Sequence, residues 1–195
     1  MAPFKISDKA RSQASGGNQG GGYLSPSKIP SGGSARFHIV SDSPLEYWTV
    51  WGQSPEGQLK PFRFAEDPNP DDIAAELGDF ERRLNRDETA PEAPKFGLSF
   101  AVYDYEAQSV RVCEFSQKSL IRELDQISQE EDYSDFSQWD FKLSKEGQGL
   151  STEYTLRPVP CKSNKAANEA YKAAVKAGFA LDRLLTGGNP FKSDD

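Results

Sequence analysis

Leu45-Glu46-Tyr47-Trp48-Thr49-Val50-Trp51-Gly52 and, after Ser54-Pro55-Glu56-Gly57, Gln58-Leu59-Lys60-Pro61-Phe62-Arg63-Phe64 are the two runs that decide the fold of this chain. Both are dense in aromatic and β-branched residues, which suit a pleated, half-buried surface. Between them lie the Pro and Gly of a tight turn, so the pair reads as a β-hairpin. Strand alternation sets Tyr47, Thr49 and Trp51 on one face and Trp48 and Val50 on the other. One of the two sets is expected in the core.

The same period of two continues outward. Upstream, Phe37 and Ile39 alternate with Arg36 and His38. Downstream, Phe96–Tyr105 and Ser109–Phe115 read as two strands across a short turn. Trp139, Phe141 and Leu143 alternate with Asp140 and Lys142, and Gly147-Gln148-Gly149 turns the chain back through Thr152–Val159.

Helices are expected in between. Asn69 caps one, Pro70 suits its first turn, and Asp71 and Asp72 complement its dipole. Ile73, Leu77, Phe80 and Leu84 would form its apolar stripe. Ser116 opens another, with Leu120, Ile121, Leu124 and Ile127 on one side. A last helix runs from about 164 to 185 and stops at Gly187-Gly188. The expected fold is α+β: an OB-like small antiparallel β-barrel with inserted helices and a C-terminal helix.

Residues 1–33 carry seven glycines and few large apolar side chains, the composition of a flexible arm. The expected organisation is an arm over 1–33, a core over 34–162, a helix over 163–185 and a flexible tail over 186–195. No apolar run approaches the ~20 residues that span a bilayer, and the N-terminus lacks a secretory pattern. A soluble, cytoplasmic protein with no membrane partner is expected.

Charge and chemistry narrow the function. The formal net charge is −7, but residues 66–91 and 123–140 hold sixteen of the thirty acids and only three basic residues. The remainder is net positive, so a basic face is compatible with the acidic total. One His and two Cys, with no ligand spacing among them, make no ordinary structural zinc site, and no metal or cofactor is expected. There is no phosphate loop and no Ser-His-Asp spacing, so the chain does not read as an enzyme.

A binding function fits better. Single-stranded nucleic acid needs flat rings for bases beside cations for phosphates. Tyr47, Trp48, Trp51 and Phe62 are the candidate rings, with Lys60 and Arg63 beside them. Lys142, Lys145 and Arg157 are expected to project together from the last hairpin. Combined with Arg63, Arg111, Lys118 and Arg122, that face is a candidate to complete a single basic groove.

The series Phe37-His38-Ile39-Val40-Ser41, Glu46-Tyr47-Trp48-Thr49, Lys60-Pro61-Phe62-Arg63 and Phe100-Ala101-Val102-Tyr103-Asp104-Tyr105 resembles a known family. Further matches are Phe115-Ser116-Gln117-Lys118-Ser119-Leu120-Ile121, Tyr133-Ser134-Asp135 and Gly149-Leu150-Ser151-Thr152-Glu153-Tyr154 before Pro158-Val159-Pro160. The family is the bacteriophage single-stranded DNA-binding proteins related distantly to the phage T4 helix-destabilising protein. The resemblance covers roughly residues 35–160. It implies an OB-fold that coats single-stranded DNA in replication, recombination and repair, with Tyr47, Trp48, Lys60 and Arg63 touching DNA. Replication or recombination proteins are the further partners it implies. The alternative is a protein–protein interaction module of a replication or transcription complex whose acidic surfaces mimic DNA.

Overall fold

The computed structural model describes residues 22–192. It is an α+β structure built on one large, mostly antiparallel sheet of nine strands. These are β1 (Tyr23–Leu24), β2 (Ser34–Ile39), β3 (Leu45–Gln53), β4 (Leu59–Phe64), β5 (Glu81–Arg82), β6 (Lys95–Asp104), β7 (Ser109–Phe115), β8 (Trp139–Glu146) and β9 (Glu153–Pro160). The helices are α1 (Pro70–Leu77), α2 (Lys118–Gln129) and α3 (Asn164–Lys176), with a 3-10 segment over Leu181–Thr186. None among the described residues is long and apolar enough to cross a membrane.

The main sheet runs β1-β7-β6-β2-β8-β9, and only β1 and β7 are parallel. Strand β6 is the fork. Its residues 98–104 pair with β7 on one edge. On the other edge residues 95–99 pair with β3 and residues 102–104 with β2. Strand β3 carries β4 and β5 away as a separate wing.

The sheet does not close. Strands β1 and β9 stand at opposite ends of the pairing order, which corrects the expected barrel. What replaces closure is a cover on each face. On one face Phe37, Phe100, Val102, Cys113, Phe115, Phe141 and Leu143 pack against Leu120, Leu124 and Ile127 of α2. On the opposite face Ala101 and Val112 pack under Phe179 and Leu184. The wing has its own small core of Val50, Phe62, Ile73 and Leu77 beneath α1. The outer strands carry prolines, Pro61 on β4 and Pro158 and Pro160 on β9, which remove edge donors.

Local chemistry explains where expected elements end. Asn69 Oδ1 accepts from the backbone N–H of Asp71 and Asp72, at 2.9 and 3.0 Å, and starts α1 as expected. The helix stops at Gly78, whose φ of 56° is left-handed. Phe80 therefore sits past the helix, edge-on to Phe62 at 5.4 Å, and Leu84 is 47% exposed. The last helix is likewise shorter than expected. It ends at Lys176, before Gly178 at φ 97°, and the chain turns back as the 3-10 segment.

The expected arm divides in two. Residues 1–21 lie outside the described residues. Residues 22–33 join the fold through β1, with Leu24 and Ile29 buried in the main core. Of the expected tail, residues 186–192 are described, and Pro190 is fully buried.

Candidate nucleic-acid interface

Register, more than composition, decides what the aromatic hairpin does. Tyr47 stands opposite Gly97, and Thr49 opposite Arg63. On that face the Tyr47 hydroxyl donates to Glu114 Oε1 at 2.6 Å and lies 2.7 Å from Ser99 Oγ. Arg63 donates to the same carboxylate oxygen at 2.7 Å, and its guanidinium sits 5.3 Å above the Tyr47 ring. Tyr47 is 3% exposed and the Arg63 side chain 12%. The 3-10 segment Leu181–Thr186 lies against β3, β4 and β6, and helps seal the cluster.

The electrostatics agree with an internal role. Burial and the neighbouring Glu114 carboxylate push the Tyr47 phenol well above its ordinary range. Burial opposes the charge on Arg63, but Glu114 beside it raises its pKa overall. The cluster neutralises itself, so neither Tyr47 nor Arg63 is presented to a ligand. Phe62, 6% exposed, is likewise core.

The other expected residues scatter. Trp48 is half-buried, edge-on to Phe96 at 5.5 Å. Trp51, also half-buried, lies under the Arg83 guanidinium at 5.6 Å, while Arg83 pairs with Glu92. Lys60 is exposed, with Nζ 4.8 Å from the Phe62 ring centre. Arg111 is tied to Asp104 at 3.4 Å. Lys118 and Arg122 ride on α2, across the sheet from Lys142 and Arg157, so the expected single groove is not formed.

Lys142 and Arg157 are brought together, and with a third cation. Arg36 of β2 pairs with Lys142 of β8, which pairs with Arg157 of β9. The three lie in one row across adjacent strands. Lys145 does not join them. It has the strand parity of Phe141 and Leu143, and its Nζ donates to the Ser27 carbonyl at 2.8 Å. Among the described residues, Lys142 and Arg157 have no ion-pair partner.

At the Arg36 end the row is anchored by Asp140, a fully buried carboxylate. Arg36 Nε and the Lys162 backbone N–H donate to Asp140 Oδ2 at 2.8 and 2.9 Å. The Tyr105 hydroxyl donates to Oδ1 at 2.9 Å, and His38 Nδ1 lies 3.1 Å from it. Burial alone would raise the Asp140 pKa. The donors from Lys162, Arg36 and Tyr105 outweigh it and hold the carboxyl below its ordinary range. The Tyr105 ring is flanked by Arg36 at 5.7 Å and Lys162 Nζ at 5.5 Å.

Cys161 Sγ completes this corner, 3.6 Å from His38 Nδ1. Burial and Asp140 push its thiol pKa up. Asp140 and Cys161 approach the same ring nitrogen, whereas a nucleophilic relay uses both nitrogens of the imidazole. Arg36, Tyr105 and Lys162 were not singled out in the sequence. The only signal was alternation, which turned Arg36 away from the core.

No family model, curated protein or solved structure matches this chain.

Proposed function

We propose that the chain binds single-stranded DNA without catalysis, through the sheet face that carries Arg36, Lys142 and Arg157. The carrying observation is the in-register row itself. Like charges directly opposite on neighbouring strands destabilise a sheet. Only Arg36 has an acid to offset it. A polyanion laid across the row would meet three cations and supply the missing counter-charge.

One neighbouring ring supports a strand whose bases are free. Tyr105 lies beside the row between two cations. Stacking and phosphate contacts recognise every sequence alike, so little sequence preference is expected. The relation of the open sheet to the OB barrel, and the role in phage replication, recombination and repair, belong to the same proposal. They rest on the resemblance over residues 35–160.

Fluorescence anisotropy of labelled oligo-dT across a salt series tests the reading. The full-length chain should bind at low salt and release as salt rises. Each lost phosphate contact removes about 0.7 from the slope of log K against log salt, so Lys142→Ala with Arg157→Ala should lower the slope by about 1.4. A wild-type slope in that double variant, or no binding at low salt, would overturn the assignment.

A further inference from the structure

The corner beside the row, on the same sheet face, gathers three side chains that the sequence keeps far apart. His38 of β2 and Asp140 of β8 stand directly opposite in register. Cys161 follows the last residue of β9, with the strand parity of Val159, whose partner is Asp140. One ligand atom from each, His38 Nδ1, an Asp140 oxygen and Cys161 Sγ, lies within 4.8 Å of the other two.

We propose that His38, Asp140 and Cys161 form a site for one zinc-class divalent transition metal ion. Ligands of a four-coordinate zinc lie about 2.0–2.3 Å from the ion, which sets neighbouring donor atoms roughly 3.3–3.7 Å apart. The observed separations are 3.1 Å from Nδ1 to Oδ1 and 3.6 Å from Nδ1 to Sγ. The Asp140 and Cys161 donor atoms lie within 4.8 Å of each other. One nitrogen, one sulfur and one oxygen form a borderline donor set, which suits Zn2+ or Co2+ and does not suit Mg2+ or Ca2+.

The surroundings supply the outer support that such sites use. Asp140 would ligate through Oδ1, while Oδ2 stays with Arg36 and the Lys162 N–H, the arrangement that fixes a ligating carboxylate. Binding releases the thiol proton of Cys161 and leaves His38 protonated on Nε2. The thiolate and carboxylate then balance the two positive charges of the ion. Cys161 is half-exposed, so water can complete the fourth position. The site is independent of the DNA reading, because its ligands are defined whether or not the row binds a polyanion.

Cobalt titration of the reduced, chelator-treated full chain is the test. One equivalent of Co2+ should give a thiolate-to-cobalt charge-transfer band in the near ultraviolet, abolished by an equivalent of Zn2+. Cys161→Ser should lose the band and weaken Co2+ binding by at least about tenfold, since even an outer partner of a ligand is worth that much. Cys113→Ser, at the other, buried thiol, should keep it. Wild-type protein gives a second readout, in which Zn2+ should slow alkylation of Cys161 about tenfold. The absence of a thiolate band, a band that persists in Cys161→Ser, or alkylation indifferent to Zn2+ would each overturn the site.

Discussion

The Tyr47–Arg63–Glu114 cluster and the Arg36–Lys142–Arg157 row use the same materials on the same face of one sheet, and they come out as opposites. In the wing, Arg63 meets Glu114 at 2.7 Å and lies over a ring that is 3% exposed. In the row, only Arg36 is paired with an acid, and Arg157 is exposed. The first arrangement spends its charge inside the molecule. The second leaves charge available to a partner. Aromatic and basic residues in close sequence therefore do not mark a binding surface by themselves.

The strongest way to break this comparison is to remove the interior cation. Arg63→Ala leaves the Glu114 carboxylate without its cation beside the buried Tyr47 ring. Breaking a fully buried pair costs about 3–5 kcal/mol, and Glu114 is 30% exposed, so solvent offsets part of that. A loss of roughly 2–4 kcal/mol in urea unfolding is expected, with an unchanged salt slope for oligo-dT in the protein that remains folded. A changed slope at full stability would put Arg63 on the DNA instead.

The hairpin should respond in the reverse sense. Lys142→Glu places an acid between Arg36 and Arg157, replacing two like-charge contacts by two attractive ones. Cross-strand charge pairs are worth about 0.2–1 kcal/mol each, so the melting temperature should hold or rise. Oligo-dT affinity at low salt should fall about tenfold or more, since the row loses a phosphate contact and gains a repulsive charge. Loss of both stability and binding would mean that Lys142 has a structural role.

The two regions also differ in how much of them could be read beforehand. The longer elements were legible from alternation and caps: β2, β3, β4, the β6–β7 pair, the β8–β9 hairpin and the starts of α1 and α3, whereas α2 begins at Lys118 rather than at the expected Ser116 and has no side-chain cap. Strands β1 and β5, of two residues each, are too short to carry a period. Alternation sorted Tyr47 from Trp48 correctly but could not say which side is covered. Here both are, one by the C-terminal segment and the other by α1. The barrel was misjudged for the same reason, because a helical cover can bury the second sheet face as well as closure can. Of the row, Lys142 and Arg157 were legible from the last hairpin, but their neighbour Arg36 was not. Arg36 and Lys142 are 106 positions apart, and only the register between β2 and β8 makes them neighbours.

The smallest effect concerns alkaline pH and sharpens the claim that the wing cluster is internal. Burial and then Glu114 raise the Tyr47 phenol above its ordinary value of 10.0. Unfolding exposes the phenol, which then ionises near 10.0, whereas the folded chain keeps the proton to higher pH. Between the two values the unfolded state has released a proton that the native state still holds. Stability from this group is thus complete below pH 10.0 and falls as pH rises beyond it, by at most about 1.4 kcal/mol per pH unit. Tyr47→Phe loses the hydrogen bond to Glu114, so it starts less stable at neutral pH. Above pH 10.0, however, its stability should decline less steeply than that of the wild type. The slope will not vanish, because Tyr23, Tyr105 and Tyr171 are raised as well. Denaturant melts at pH 8, 9, 10 and 10.5 check this. Parallel curves for the two proteins would mean that Tyr47 reaches solvent in the native state, and the sealed cluster would have to be redrawn as part of the open face.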